Sequence, residues 1–250
     1  MIYYNGQYLN NENNIINYND SGFTTAIGIF DSMLALNGDL IHGPDHFDRI
    51  LFDCKNVIGL TPTISYSDFN QICKKLLDKN TLSNGHARVR TTITGGIVAK
   101  PLDEATSLSI LIHTATANAP ENMPPLKCAI ILDFPRIAGC PLENSKRLDY
   151  SRSYAARRAA EKLGADESIL INTNGNIACA ATSNIFIQEN GKLITPPLSE
   201  GVLAGVTRKN ILKENPNAKE ETISIKRLES ANKIFLTNSF FGLREVTLIS

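Results

Sequence analysis

The chain has 250 residues, 42% hydrophobic and 20% charged, enough for a sizeable core and unlike a disordered polypeptide. Lysine plus arginine equals aspartate plus glutamate, 25 each, so no global field directs the chain to nucleic acid or an anionic membrane, though a small anion needs only a local patch. Apolar runs such as AIIL at 129–132 are too short to span a bilayer, and the opening MIYYNGQYLN lacks the layout of a signal peptide. Five cysteines without CxxC spacing argue for a reducing compartment, against a disulfide framework and against zinc. Cytoplasm is the expected location.

From the N-terminus, Asn5-Gly6 is a two-residue hairpin signal. Residues 10–20 are asparagine-rich and read as a loop, with a short strand through Ile15, Ile16 and Tyr18 as the alternative. GIFDSMLALNGDLI reads as a second hairpin turning at Asn37-Gly38. Pro44 opens a helix that Gly59 closes, with Phe47, Ile50, Leu51, Cys54, Val57 and Ile58 on its apolar face. Ser67 is placed to cap the next helix, whose core face is Phe69, Ile72, Cys73, Leu76 and Leu77. HARVRTTIT (86–94) and SLSILIHT (107–114) read as strands. The aperiodic stretch ATANAPENMPP then divides the chain into a domain over 1–115, a linker over 116–125 and a domain over 126–250.

In the second half, KCAIILD reads as a strand, and a helix runs from about Leu148 to Leu163 and stops at Gly164. ESILI, SNIFIQ and KLIT are strands, with turns at Asn174-Gly175 and Asn190-Gly191. The helix VTRKNILKEN is stopped by Pro216, and ETISI, KIFLTN and REVTLI supply the last strands. Many strands and few helices predict an α+β or barrel-like domain rather than a doubly wound sheet.

GxSxG, HExxH, P-loop and GxGxxG patterns are missing. The four histidines (42, 46, 86, 113) do not pair at metal-ligand spacing and read as structural or surface residues, so no metal is expected. A Ser-His-Asp set can assemble from distant segments, and spacing neither excludes nor promotes one. The stretch with most chemical content runs from Ser145 to Asn184. Lys146 precedes an amphipathic helix, and a lysine buried at such a joint can act as a Schiff-base amine because burial lowers its pKa. The small-residue run ACAATSN leaves room beside it for a flat ring. Taken alone, Lys146 reads rather as a solvated lysine before a helix, which is what most lysines are.

Five segments, in order, carry a resemblance: HFDRILFDCKNVIGL, RVRTTITGG, SKRLDY…GADESILI, TSNIFI…KLITPPLSEGVLAGVTR and FLTNSFFGLREV. With the hairpin GIFDSMLALNG, which is similar to GVFETMRVYNG, they cover roughly residues 22 to 246. This order resembles the class IV aminotransferases, the fold-type IV pyridoxal phosphate enzymes, which include branched-chain and D-amino acid aminotransferases and aminodeoxychorismate lyase. TSNIF followed by TPPLSxGVLxGVTR is the most specific part. The resemblance implies an α+β fold of two domains, a smaller N-terminal α/β domain and a C-terminal pseudo-barrel-like domain. It also implies pyridoxal 5'-phosphate as cofactor, a small amino acid or aminodeoxychorismate-like substrate, and a homodimer with the cofactor between the domains.

Residue by residue, the resemblance makes Lys146 the Schiff-base lysine and proton-transfer base. Arg49 takes the place of the phosphate-binding arginine; its other reading is an exposed helix arginine paired with Asp45 or Asp48. Val206 and Thr207 would offer backbone N–H groups, and Thr207 a hydroxyl, to the phosphate at a helix N-terminus. Ser239 matches the second phosphate hydroxyl, Leu203 would pack on the ring, and Tyr150 would either bond the ring's phenolic oxygen or sit in the core. Cys179 stands where the family has the glutamate that pairs with the pyridine nitrogen. A thiol there supplies little charge near neutral pH, so the ring should draw electrons less strongly. At the substrate end, Phe30 and Ser32 match an aromatic residue and a hydroxyl. Arg90, with Arg88 and Arg147 as alternatives, would take the carboxylate. The leading function is amino transfer between a small amino acid and a 2-oxo acid. The alternatives are aminodeoxychorismate lyase, which eliminates pyruvate to give 4-aminobenzoate, and a binding protein that has lost catalysis.

Overall fold

The structure, a computed structural model, describes residues 1–10, 15–119 and 123–249. The loop expected over 10–20 and the linker expected over 116–125 lie partly outside them. The chain divides into two units, Met1–Ala119 with Ser145–Asp149, and Pro120–Asn144 with Tyr150–Ser250.

The first unit contains β1 (Ile2–Tyr4), β2 (Gln7–Leu9), α1 (Ser21–Thr25), β3 (Gly28–Leu36), β4 (Asp39–Leu40), α2 (Gly43–Val57), α3 (Tyr66–Lys79), β5 (His86–Thr94) and β6 (Ser109–Thr116). Its six strands run in the order β2-β1-β6-β5-β3-β4, every pairing antiparallel. Both asparagine-glycine hairpins form, and Asn5, Gly6, Asn37 and Gly38 all adopt the positive φ such turns require. The main partner of β3 is β5, paired from Gly28↔Thr94 to Leu36↔His86, rather than its short hairpin mate β4. Ile29, Met33 and Ala35 of β3 pack with Phe47, Ile50 and Cys54 of α2 and with Phe69, Cys73 and Leu77 of α3.

Three local expectations change. The cap of α3 is Ser65, whose hydroxyl accepts the Asp68 N–H at 3.1 Å, because the helix begins one residue ahead of Ser67. No strand forms over 15–18, where Ile16 and Tyr18 are exposed. A short helix, α1, appears instead, capped by Asp20, which accepts the Gly22 N–H at 2.8 Å.

The second unit contains β7 (Leu126–Arg136), α4 (Ser151–Lys162), β8 (Glu167–Asn172), β9 (Asn176–Ala180), β10 (Asn184–Glu189), β11 (Lys192–Thr195), α5 (Val206–Glu214), β12 (Lys219–Glu220), β13 (Ile223–Ser224), α6 (Ile225–Glu229), β14 (Lys233–Asn238) and β15 (Gly242–Leu248). They form a mixed sheet in the order β12-β11-β10-β14-β15-β7-β8-β9-β13. Here β7 runs parallel to both β8 and β15, a pairing that needs crossovers rather than tight turns. The fold is α+β, as the sequence predicts. The helix α4 starts at Ser151 rather than Leu148, because residues 146–148 are extended beside β3. ETISI is a strand only at Ile223–Ser224. Ser224 then accepts the Arg227 N–H and turns the chain into α6. Among the described residues no helix is long and apolar enough to cross a membrane.

Candidate functional site

In the first unit, the segment around Lys146 lies along the start of β3 like an added strand. Phe30 N–H donates to the Lys146 carbonyl at 2.9 Å, Leu148 N–H donates to Gly28 O at 2.9 Å, and Ile29 bridges Arg147. Gly28 permits this approach, since a Cβ there would stand 2.6 Å from Leu148 Cδ1 and 2.7 Å from Ile93 O. The Lys146 amine lies 4.3 Å from the centroid of the Phe30 ring, a cation–π distance.

Arg49 is not the exposed helix arginine of the alternative reading. It is buried on α2, and its partner is Asp31 rather than Asp45 or Asp48: Nε and Nη2 donate to Asp31 Oδ2 at 2.9 and 2.7 Å. His46 Nδ1 lies 2.7 Å from Asp31 Oδ1, so His46 is a structural residue of this cluster. Burial pushes the Asp31 carboxyl up, but the Arg49 charge, His46 and their hydrogen bonds outweigh it and hold the group well below the usual carboxylate range. One turn along the helix, Asp53 Oδ2 accepts the Lys146 N–H at 3.0 Å. His46, Arg49 and Asp53, at i, i+3 and i+7, form one buried polar row on α2.

The alternation of β3 places Asp31 toward the helices and Phe30 and Ser32 on the opposite face. Ser32 stands across from Arg90, whose guanidinium carbon lies 3.9 Å from the Phe30 ring centroid. His113, paired with Arg90 on β6, has its pKa lowered by burial and by the Arg90 and Arg88 charges. This face is therefore basic, as a carboxylate-binding surface would be. Arg147 lies 4.0 Å from Asp149.

In the second unit, Asn184 is tied to the Leu203–Gly205 turn that leads into α5, where Val206 and Thr207 begin the helix. The Asn184 side chain donates to Leu203 O at 2.9 Å, and Gly205 N–H donates to the same carbonyl at 2.8 Å. A Cβ on Gly205 would stand 2.0 Å from Asn184 Oδ1, so the asparagine and the glycine need each other. Gly205 is also the N-cap of α5 and makes no side-chain cap bond, so the first-turn N–H groups of Val206 and Thr207 are not capped by the N-cap residue. The Ser239 turn is tied to the same corner: Asn238 accepts the Phe240 N–H at 2.9 Å and donates to Ser183 Oγ at 3.3 Å.

Cys179 lies on β9, buried, in the cluster formed with Ala156 and Ala160 of α4 and Leu170 of β8. Burial pushes its thiol up, against the nearby Arg136 charge. Arg136 is itself held by buried Glu143 at 3.1 Å, which also pairs with Arg152. Tyr150 stands at the N-cap of α4, half-buried, its carbonyl accepting the Tyr154 N–H at 2.9 Å.

Sequence reasoning passes over three residues that organise these places, Asp31, Asp53 and Asn184, and names His46 only as a structural or surface histidine. Asp53 had a signal, the i, i+3, i+7 polar row it forms with His46 and Arg49 on an otherwise amphipathic helix, whereas Asp31 stands on β3 outside that row. Asn184 appeared only inside the TSNIF motif, without its structural reason.

The model of the family described as Amino-transferase class IV matches residues 28–249. The chain is similar to an aminodeoxychorismate lyase of Bacillus subtilis, 29% identical over 264 residues, covering all of this chain and 86% of that one. Its fold is similar to a branched-chain amino acid aminotransferase from Escherichia coli, at TM-score 0.88 and 20% identity, covering 99% and 85% of the two chains. It is similar again to a hypothetical aminotransferase from Mycobacterium tuberculosis in its PLP-bound form, at TM-score 0.86 and 17% identity, covering 99% and 90%.

Proposed function

Because this chain belongs to the class IV aminotransferase family, we propose that it is a pyridoxal phosphate enzyme working through Lys146. The observation that carries the reading is the Lys146 segment. A lysine is fixed through both of its peptide groups, and its amine stands over an aromatic ring.

The residues present fit such a cofactor. The N-cap of α5, Gly205, supplies no side-chain cap, Thr207 and Ser239 bring hydroxyls, and Arg49 is a guanidinium with Nε and Nη2 engaged by Asp31. When bound, pyridoxal phosphate supplies an aldehyde that joins to amines and a ring that draws electrons from the substrate's α-carbon. Lys146 Nζ would hold the cofactor and carry the α-proton. Arg49, Val206, Thr207 and Ser239 would hold its phosphate, Leu203 would pack on the ring and the Tyr150 hydroxyl would bond its phenolic oxygen. Arg90 orients the substrate carboxylate beside Phe30, and Ser32 supports proton transfer with its hydroxyl.

The leading reaction moves an amino group between a small amino acid and a 2-oxo acid. A second reading, elimination of pyruvate from aminodeoxychorismate, draws on Cys179. A buried neutral thiol cannot hold a proton on the ring nitrogen as a carboxylate does, which favours a reaction whose leaving group shares the work. The likeness to the Bacillus subtilis lyase points the same way. Retention of Lys146 and Arg49 speaks against a protein that only binds. Five free cysteines fit the cytoplasm, and family membership carries the expectation of a homodimer, which sedimentation in solution checks.

Reconstitution with pyridoxal phosphate, borohydride reduction and peptide mass analysis test the first step. The adduct should form on Lys146 and vanish in Lys146→Ala; a colourless wild type that cannot be reconstituted removes the reading. Product identification with a panel of amino donors, and with aminodeoxychorismate, then separates transfer from elimination.

A further inference from the structure

Asp53 has no role in the scheme above. It sits on α2 one turn beyond Arg49, 1% exposed, on a stretch whose neighbouring buried residues Ile50 and Cys54 are apolar. Its Oδ2 accepts the Lys146 N–H at 3.0 Å while the Lys146 carbonyl accepts the Phe30 N–H at 2.9 Å, so helix and strand hold the lysine's backbone from two sides. The other oxygen, Oδ1, is buried with no hydrogen-bond partner among the described residues. Burial pushes the Asp53 carboxyl up, against the Lys146 N–H, the Ser145 hydroxyl and the Arg49 charge. A buried carboxyl with one oxygen lacking a hydrogen-bond partner is costly to hold, so its contact with the Lys146 N–H calls for a reason beyond packing.

We propose that Asp53 is a positioning residue for Lys146: through the Lys146 N–H, one turn of α2 sets where the amine stands relative to Arg49. Residues four apart on a helix are separated by about 6 Å along its axis, a rigid spacing no loop would keep. The same helix would thus fix both ends of the cofactor, the phosphate through Arg49 and the point of attachment through Asp53. The inference rests on the roles given above to Lys146 and Arg49.

The test compares wild type, Asp53→Ala and Asp53→Asn with two probes. Pyridoxal phosphate attaches to the lysine; pyridoxamine phosphate has no aldehyde and reports binding without attachment. In Asp53→Ala, attachment at Lys146, trapped with borohydride at short times, should slow about ten-fold, while pyridoxamine phosphate affinity stays within about three-fold. Asp53→Asn keeps an acceptor oxygen and should recover most of the rate. In the unliganded wild type the Lys146 amide should be protected from hydrogen exchange, a reading that stands even if Asp53→Ala does not fold. Equal attachment rates in wild type and Asp53→Ala, parallel loss with both probes, or a Lys146 amide exchanging as fast as a loop amide would overturn the inference. An absent Lys146 adduct in wild type would overturn the lysine's assignment first and the inference with it, whereas a normal adduct with an indifferent Asp53→Ala overturns the inference alone.

Discussion

Asp31→Ala is the sharpest perturbation of the first unit. Asp31 is 1% exposed and accepts from Arg49 at 2.9 and 2.7 Å, with His46 at 2.7 Å on its other oxygen. Removing it leaves a buried guanidinium without its counter-charge, a loss of about 3–5 kcal/mol. At a few degrees per kcal/mol for a unit of this size, the melting midpoint should fall by roughly 10 °C or more. Asp31→Asn keeps an oxygen for Arg49 and should lose about half as much. Freed from Asp31, the Arg49 guanidinium should bind inorganic phosphate more tightly, so added phosphate should raise the midpoint more in Asp31→Ala than in wild type. The pH dependence has a definite sign. Because the folded carboxyl lies below its unfolded value, its contribution is full above the unfolded value of about 4 and is lost as pH falls below it. Wild type should therefore lose stability on acidification more steeply than Asp31→Ala. Circular dichroism melts over pH and phosphate concentration measure all three effects. A midpoint within about a degree of wild type would refute the assignment of Asp31 as the counter-charge.

Other outcomes follow from the second unit and the basic face. Cys179→Glu should change the absorbance spectrum of the cofactor-loaded protein and raise amino-transfer turnover; an unchanged spectrum and rate would end the argument about the ring nitrogen. Gly205→Ala should lower stability by about 2 kcal/mol and weaken phosphate binding, since its Cβ would displace Asn184 from Leu203, as melts and phosphate titration would record. Glu143→Gln should cost about 1–3 kcal/mol by removing the charge shared by Arg136 and Arg152, read as a fall in denaturation midpoint. Arg90→Ala should raise KM for a carboxylate substrate about ten-fold or more with a smaller change in kcat.

Strand and hairpin order was legible because the asparagine-glycine turns need positive φ and the strands alternate or run apolar. What local pattern could not show was pairing at a distance. The hairpin β3–β4 is visible in GIFDSMLALNGDLI, yet the long partner of β3 is β5, fifty residues or so away, fixed by packing over α2 and α3. The helix expected from about Leu148 starts only at Ser151, because the competing demand of the β3 edge for hydrogen bonds overrode that propensity at Leu148. ETISI carried strand residues, but the Ser224 cap redirected them into α6. At the candidate site, family motifs named Lys146, Arg49 and the α5 terminus. The buried acids that hold these residues could not be read from motif spacing, because their partners come from different elements.

The return of Ser145–Asp149 to the first unit has a consequence for how the protein is made. When Ala119 has left the ribosome, the first unit still lacks the strand that covers Gly28–Phe30 and the amide that Asp53 accepts. That edge of β3 stays open until Ser145–Asp149 has been synthesised, after an intervening stretch of the other unit. The N-terminal unit cannot finish folding by itself, and a fragment cut at Ala119 should be sticky and poorly protected along β3. The attachment proposed for Lys146 and completion of the first unit thus wait for the same few residues.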